Sequence, residues 1–304
     1  MTLLNFPRKA KNRLRPLRIN KGYWFVAPAV ILILLFTFYP TYKIIDMSLH
    51  SLNRRTGENT FVGFENYIEV IEDPVFFKAL RHTIVFTGVG ALGHIGIGFF
   101  LALLMNAKLN KKILNVSRSL ILLPWVLSPT VVAIITQLWG HPLISPIARI
   151  LEYFGWGGVF TPLGKTDTAL ISLVIINIWQ FTPFYMLMIL AGLQTMDPEL
   201  HMAAMVDGAN PLQRLYYITW PHIRNVVLTF TLFSLVTNAA YFDLIWIATQ
   251  GGPVRSTEVL ATYAYRIAFS SLNWNKASVV GIVMLLLSIL LSIVFIVQIR
   301  KKQT

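Results

Sequence analysis

Apolar residues gather along this chain into six long runs, at 23–45, 83–105, 119–140, 168–194, 226–249 and 278–299. Each is long enough to cross a hydrocarbon layer of roughly 30 Å, which takes about 20 helical residues. The runs do not alternate apolar with polar positions, so they lack the period of barrel strands. Backbone groups in lipid must bond within their own segment, and the runs are therefore predicted to be helices. Polar stretches separate them and carry helical signals of their own. In the stretch 48–81, residues 66–72 and 73–80 read as two short interfacial helices. In 141–167, Ser145 and Pro146 form a cap and first-turn pair, followed by Ile147, Ile150 and Leu151 on one face up to Gly155. The predicted fold class is all-α: a polytopic membrane protein with six transmembrane helices and short interfacial helices.

Composition strengthens this picture. Of 304 residues, 55% are hydrophobic and only 13% charged, where soluble domains carry roughly a quarter. Mean hydropathy is +0.62. There is no Cys, which excludes thiolate metal sites, disulfides and Cys nucleophiles. His82, His94, His141, His201 and His222 show no ligand spacing and His50 stands alone, so no metal is expected. The chain has no G-x4-G-K-[ST] phosphate loop. It is expected to be non-catalytic and to bind no cofactor itself.

The net charge of +13 changes the picture through its distribution. Taking the N-terminus as cytoplasmic, the inside segments are 1–22, 106–118, 195–225 and 300–304. They hold sixteen basic residues against three acidic ones, Asp197, Glu199 and Asp207. The outer segments hold ten basic and nine acidic residues. An excess of Lys and Arg marks the cytoplasmic side, so both termini are expected there. Charges that flank apolar runs have this explanation without a nucleic-acid partner. The basic tail 1–22 then reads as an anchor at anionic headgroups. The run after it is too long for a signal-peptide core and no small-x-small cleavage site follows, so it is expected to remain as an uncleaved first span.

Residues 196–224 are more ordered than a connector needs. Asp197 can cap a helix with Pro198 at its first position and Glu199 in its first turn. Leu200, Ala203 and Ala204 fall on one face. Asp207 and Gly208 break that helix, since Gly adopts positive φ cheaply. Asn210 and Pro211 start a second helix, with Leu212, Leu215, Tyr216 and Ile218 apolar, and Trp220-Pro221 is expected to reset the chain into the fifth span. Such a segment either packs under its own bundle or receives a partner.

The segment resembles the EAA loop of binding-protein-dependent ABC importer permeases, whose pattern is EAA-x2-DGA-x5-F-x2-I-x2-P-x3-P. Ala203, Ala204, Asp207, Gly208, Ala209, Ile218 and Pro221 stand at matching spacing. The sequence departs at Met202 for Glu, Leu215 for Phe and Asn225 for the last Pro. Further motifs resemble the sugar branch, the MalF/UgpA-like permeases: Ala27-Pro28 with Tyr39-Pro40, the stretch from Phe61 to Tyr67, and Phe242-Asp243 followed by Gly251-Gly252-Pro253. The resemblance covers roughly 23–299. It implies a permease domain in the bacterial inner membrane that carries a sugar or oligosaccharide. Its partners would be a second homologous permease, two ATP-binding cassette ATPase subunits using ATP and Mg, and an extracytoplasmic solute-binding protein. It also implies that Met202, Ala203, Ala204, Asp207, Gly208, Ala209, Leu215, Ile218 and Pro221 form the surface that docks the ATPase. Glycerol 3-phosphate and acidic oligosaccharides also fit the branch.

Sugars are held by polar side chains and aromatic faces. Candidates are Asn177, Trp179, Gln180 and Tyr185 in the fourth run, and Asn238, Tyr241 and Asp243 in the fifth. Asp243 is the one acid deep in a run, either a path residue or a helix-capping one. Trp24, Tyr39 and Trp139 fit the interfacial aromatic belt. An ion-driven secondary transporter or channel would call for several intramembrane acids and repeats; this chain has one such acid and no visible repeat.

Overall fold

The computed structural model describes residues 22–52, 56–107, 110–141, 145–155 and 161–301. The basic tail 1–21 and residues 302–304 lie outside them. The chain divides into two units, Met1–Lys43 and Ile44–Thr304.

The first unit runs into one apolar helix. Its parts are α1 (Gly22–Ile33), a π-turn (Leu34–Phe38) and α2 (Tyr39–Ser48). The π-turn has a cause two residues on. Pro40 has no N–H to give to the preceding turn, and the Tyr39 N–H bonds to the Leu34 carbonyl, five residues back. A wider turn at this point keeps the helix continuous.

In the second unit a two-stranded antiparallel hairpin, β1 (His50–Leu52) with β2 (Asn59–Phe61), is followed by α3 (Glu65–Glu72). Among the described residues the hairpin is the one feature outside the all-α expectation. Residues 73–80 are not a separate interfacial helix. Asp73 caps α4 (Pro74–Asn106) by accepting from the Val75 N–H at 2.8 Å, and that helix runs on through the whole second span. The third run is broken: α5 (Lys111–Val126) and α6 (Pro129–Trp139) meet at 91°. Residues before a proline are driven out of helical φ/ψ. Ser128 then caps the new helix with Pro129 at its start. Composition hid this break, because every residue around it is apolar or small. The short α7 (Pro146–Tyr153) is capped by Ser145 as expected.

The fourth span is α8 (Thr166–Gln194). Next come α9 (Pro198–Val206) and α10 (Pro211–Arg214), a second π-turn (Leu215–Thr219) and α11 (Trp220–Ala239). Trp220-Pro221 therefore does not reset the chain. The same device as at Pro40 carries the helix past the proline, with Trp220 N–H bonded to the Leu215 carbonyl. The fifth run is broken instead at 240–242, where Pro211–Ala239 and α12 (Asp243–Thr249) meet at 40°. Then follow α13 (Leu260–Tyr265), a third π-turn (Arg266–Ser270) and α14 (Trp274–Lys301). Among the described residues four helices are long and apolar enough to cross a membrane; counted as one span each, the two bent pairs bring the number to 6.

Helices α4 and α8 form the central packing pair. Gly98 permits it, because a Cβ there would stand 3.1 Å from the Met186 backbone nitrogen; small residues let membrane helices approach this closely. Three apolar cores lie in sequence along α4. One joins Phe76 to Leu260 and Tyr263, the next Phe86 to Leu173 and Leu244, and the last Ala102 to Met186 and Ile223. The last core underlies α9 and α10. The first lies at the opposite end, with α3 and α13.

Candidate functional site: a buried polar cleft and an exposed helical break

Between the second and third cores the packing turns polar. His94 on α4 is buried among Asn177 and Tyr185 of α8 and Ser234 and Asn238 of α11. Its Nε2 lies 3.1 Å from the Asn177 backbone carbonyl. A carbonyl only accepts, so Nε2 carries the proton and Nδ1 of the neutral ring accepts from the Ser234 hydroxyl at 2.9 Å. Asn238 Nδ2 donates to Ser234 Oγ at 3.2 Å. The imidazole stacks on Tyr185 with centroids 4.8 Å apart. The Asn177 carboxamide and the Tyr241 hydroxyl are buried without a hydrogen bond among the described residues. An unpaired buried polar group costs roughly 1–3 kcal/mol, so these groups are suited to a ligand or water.

The network borders a cavity of about 280 Å³. Its walls are aromatic (Trp125, Phe181, Phe184, Phe233), and Tyr185, Thr237, Asn238, Tyr241 and His94 supply polar atoms. Tyr185, Asn238 and Tyr241, expected on the substrate path, line this cavity. Asn177 sits behind the wall, where Gly90 lies against both it and Asn238. Gln180 is buried but turned to the break between α5 and α6, donating to the Leu127 carbonyl at 3.2 Å. Trp179 is on the outer face against Trp139, with centroids 6.2 Å apart, and does not reach the cavity. Asp243 lies just past the break in the fifth run. It is exposed in the first turn of α12, where a carboxylate favours the positive helix end. Sequence reasoning passed over His94, Trp125, Phe181, Phe184, Phe233 and Thr237. The spacing of Phe181, Phe184 and Tyr185, or of Phe233 and Thr237, marks one helix face each; nothing local says which face turns inward.

The second candidate region is 196–224. Asp197 Oδ1 accepts from Glu199 N–H at 2.9 Å and starts α9. At its end Gly208 adopts φ +79° and the Ala209 N–H returns to the Ala204 carbonyl at 2.9 Å. Asn210 and Gln213 then exchange two bonds of 2.8 Å in a capping box that opens α10. The outward surface is apolar: Met202, Met205, Val206 and Leu212 are all exposed, Val206 at 88%. Ala203, Asp207, Gly208 and Pro221 are exposed too, while Ala204, Ala209, Leu215 and Ile218 are half-buried.

At the opposite end, the segment 250–259 holds the acid that sequence reading left in an outer loop. Glu258 is fully buried, with Arg266 Nε 2.8 Å from Oε1 and Arg255 Nε 3.6 Å from Oε2. Burial, and then the bond to Asp73 at 2.6 Å, push the nearby Tyr263 phenol well above its usual range. Among the described residues no three His, Asp or Glu side chains converge to hold a metal.

The architecture is that of an all-α, multi-pass membrane protein. The chain belongs to the family described as the inner membrane component of binding-protein-dependent transport systems, matched over residues 95–302. It is 32% identical to the sulfoquinovosyl glycerol transport system permease protein SmoG of Agrobacterium fabrum, over 91% of this chain and 89% of that protein. It is 28% identical to the trehalose/maltose transport system permease protein MalF of Thermococcus litoralis, over 90% and 92%. Among solved structures, a bacterial ABC transporter involved in the import of the acidic polysaccharide alginate superimposes with TM-score 0.81 at 21% identity, covering 92% of this chain and 95% of that one; this likeness concerns the fold.

Proposed function

We propose that this chain is the permease subunit of an ATP-driven importer. Its cargo is an uncharged sugar, or one ring of an oligosaccharide, handed over by an extracytoplasmic solute-binding protein. Two separate ATPase subunits bind ATP and Mg and dock on the segment 198–214, and a second homologous permease completes the pathway. Both termini then lie in the cytoplasm of a bacterial cell.

The observation that carries this reading is the exposed break at Gly208. Two capped helices meet at a glycine with φ +79°, a Cβ at that glycine would meet nothing within 4 Å, and the apolar side chains around it point outward. A water-facing segment held this firmly by caps, yet apolar outside, suits insertion into a cleft of a partner. Rigid-body movement of the partner would then act on α11, which continues from α10 as one helix.

The cleft supports the cargo. Relatives carry sulfoquinovosyl glycerol or trehalose and maltose in their names. The walls pair aromatic faces with hydroxyl, amide and imidazole groups, the chemistry that suits sugar C–H faces and hydroxyls. Among the described residues no Lys or Arg lines the cavity, which favours a neutral ring over glycerol 3-phosphate or an acidic oligosaccharide. At about 280 Å³ it sits at the lower edge of small-ligand pockets, roughly 300–1,000 Å³, enough for a single ring.

The test is co-purification of the tagged chain from detergent, followed by ATPase assay with the binding protein and a panel of sugars. An accompanying ATPase whose activity rises with one sugar, and falls to the unstimulated level in Gly208→Trp, is the expected result. A chain that purifies without an ATPase overturns it and leaves an ion-driven transporter.

A further inference from the structure

The end of the molecule opposite the docking segment carries a second cavity, of about 440 Å³, between α4, α8 and the segment 250–259. Its rim is basic. Lys78 and Arg81 come from consecutive turns of α4, and Lys78 Nζ donates to the Val254 carbonyl at 2.9 Å. His82 also lines it, with Nδ1 3.0 Å from the Glu258 carbonyl, so that nitrogen carries the proton. Among the described residues one acid lines it, Asp167, whose Oδ1 accepts from the Thr166 hydroxyl at 3.1 Å. Two fixed cations against one carboxylate leave the cavity net positive, and the Glu258 carboxylate behind it is paired with Arg266.

A second observation points to a ligand. Ser256 lines this cavity and is only 6% exposed, yet its hydroxyl has no hydrogen-bond partner among the described residues. It sits in a turn closed by its own N–H to the Pro253 carbonyl at 2.9 Å, so it is held in place. A buried hydroxyl donor beside Lys and Arg suits the oxygens of a phosphate group.

The floor of the cavity decides where that phosphate comes from. Below the basic rim the walls turn apolar, with Val85 on α4 and Leu170 and Ile171 on α8. The same faces continue down both helices as exposed Val89 and Leu92, and as Ile175. On α8 this face runs on to Ile178, which borders a separate apolar hollow of about 480 Å³ together with Ile97 and Leu101. A cationic rim above an apolar groove between two spans, with exposed apolar faces beyond it, has the polarity of a phospholipid. A soluble anion would have no use for the groove.

We infer that the cavity at Lys78, Arg81 and Ser256 binds the phosphate of an anionic phospholipid whose acyl chain lies in the groove between α4 and α8.

The full chain, purified in detergent with its co-purifying subunits, is to be titrated with phosphatidylglycerol, with phosphatidylcholine of the same acyl chains, and with inorganic phosphate alone. Thermal unfolding and native mass spectrometry read the binding. Phosphatidylglycerol should raise the unfolding midpoint by about 4 °C and appear as a retained lipid, with less than half that shift from phosphatidylcholine and none from phosphate. The shift should vanish in Lys78→Gln/Arg81→Gln, and in Val85→Trp, which fills the groove. Should the double variant fail to fold, Ser256→Ala removes only a hydroxyl and should weaken the lipid response severalfold with an unchanged midpoint in phosphatidylcholine. Equal shifts from the two lipids, or an unaltered shift in the variants, overturn the site. A shift reproduced in full by inorganic phosphate overturns the lipid and leaves a soluble anion.

Discussion

The segments 198–214 and 250–259 sit at opposite ends of the second unit, and each links helices through residues of positive φ. They are stabilised in different ways. In 198–214 the backbone is held by neighbours: Asp197 bonds to Glu199, Asn210 to Gln213, and Gly208 supplies φ +79°. The side chains are left outward. In 250–259 the reverse holds. Gln250, Val254 and Arg255 adopt positive φ without being glycine, and the segment is pinned by distant groups. Arg266 reaches Glu258 and the Gln250 carbonyl, Thr83 accepts from the Leu260 N–H at 2.8 Å, and His82 meets the Glu258 carbonyl. A segment that caps itself is free to offer its surface to another protein. A segment that needs the rest of the bundle to hold its shape acts as part of that bundle.

Glu258→Gln should show the largest effect. It leaves Arg266 beside a buried amide, and breaking a buried pair costs roughly 3–5 kcal/mol. Because the Arg266 side chain is 30% exposed, about 3 kcal/mol is expected, read as a fall in the unfolding midpoint in detergent. A loss below about 1 kcal/mol would mean that the ion pair does not hold the loop. Gly208→Ala comes next. A non-glycine residue at that φ costs about 1–2 kcal/mol locally, but its Cβ has open space. Most substrate-stimulated ATPase activity should survive, in contrast to Gly208→Trp; equal loss in both would place the effect in the backbone and not in the docking surface. Asn210→Ala removes one half of the capping box and should cost about 1 kcal/mol, seen as faster amide exchange confined to α10. Exchange that instead quickened across α11 would show the two regions to be less different than their contacts suggest. The smallest change is expected from Val254→Gly, which relieves a β-branched residue at φ +46°. Against the entropy of glycine, the net gain should be about 0.5 kcal/mol, measured by thermal unfolding.

The same contrast explains what could be read in advance. Asp197, Pro198, Gly208, Asn210 and Pro211 act within a few residues of themselves, and their caps and break stand where local rules put them. Ser145 behaves likewise. The break at Leu127–Ser128 had its signal in Ser128-Pro129, yet the apolar run hid it. Trp220-Pro221 misled for the opposite reason, since a π-turn upstream absorbs the proline. Within the cleft, the residue types of Tyr185, Asn238 and Tyr241 singled them out. Trp179 was of the right type but faces away from the cleft, and His94 was read only for metal-ligand spacing, which it lacks. Its partners lie 83 and 140 residues away.

The sequence by itself determined that this chain crosses a membrane repeatedly, where the helices capped by Ser145, Asp197 and Asn210 begin, and that 196–224 is a capped, broken pair of helices. These follow from the length of apolar runs and from bonds between near neighbours. Only the tertiary structure decided which faces meet: that His94 joins Asn177, Ser234 and Asn238 around a cleft, that Trp179 turns away from it, and that Glu258 is buried. In spans that are apolar all round, no period distinguishes the inward face, so the choice falls to the close approach of α4 and α8 and to polar groups that find partners only across helices.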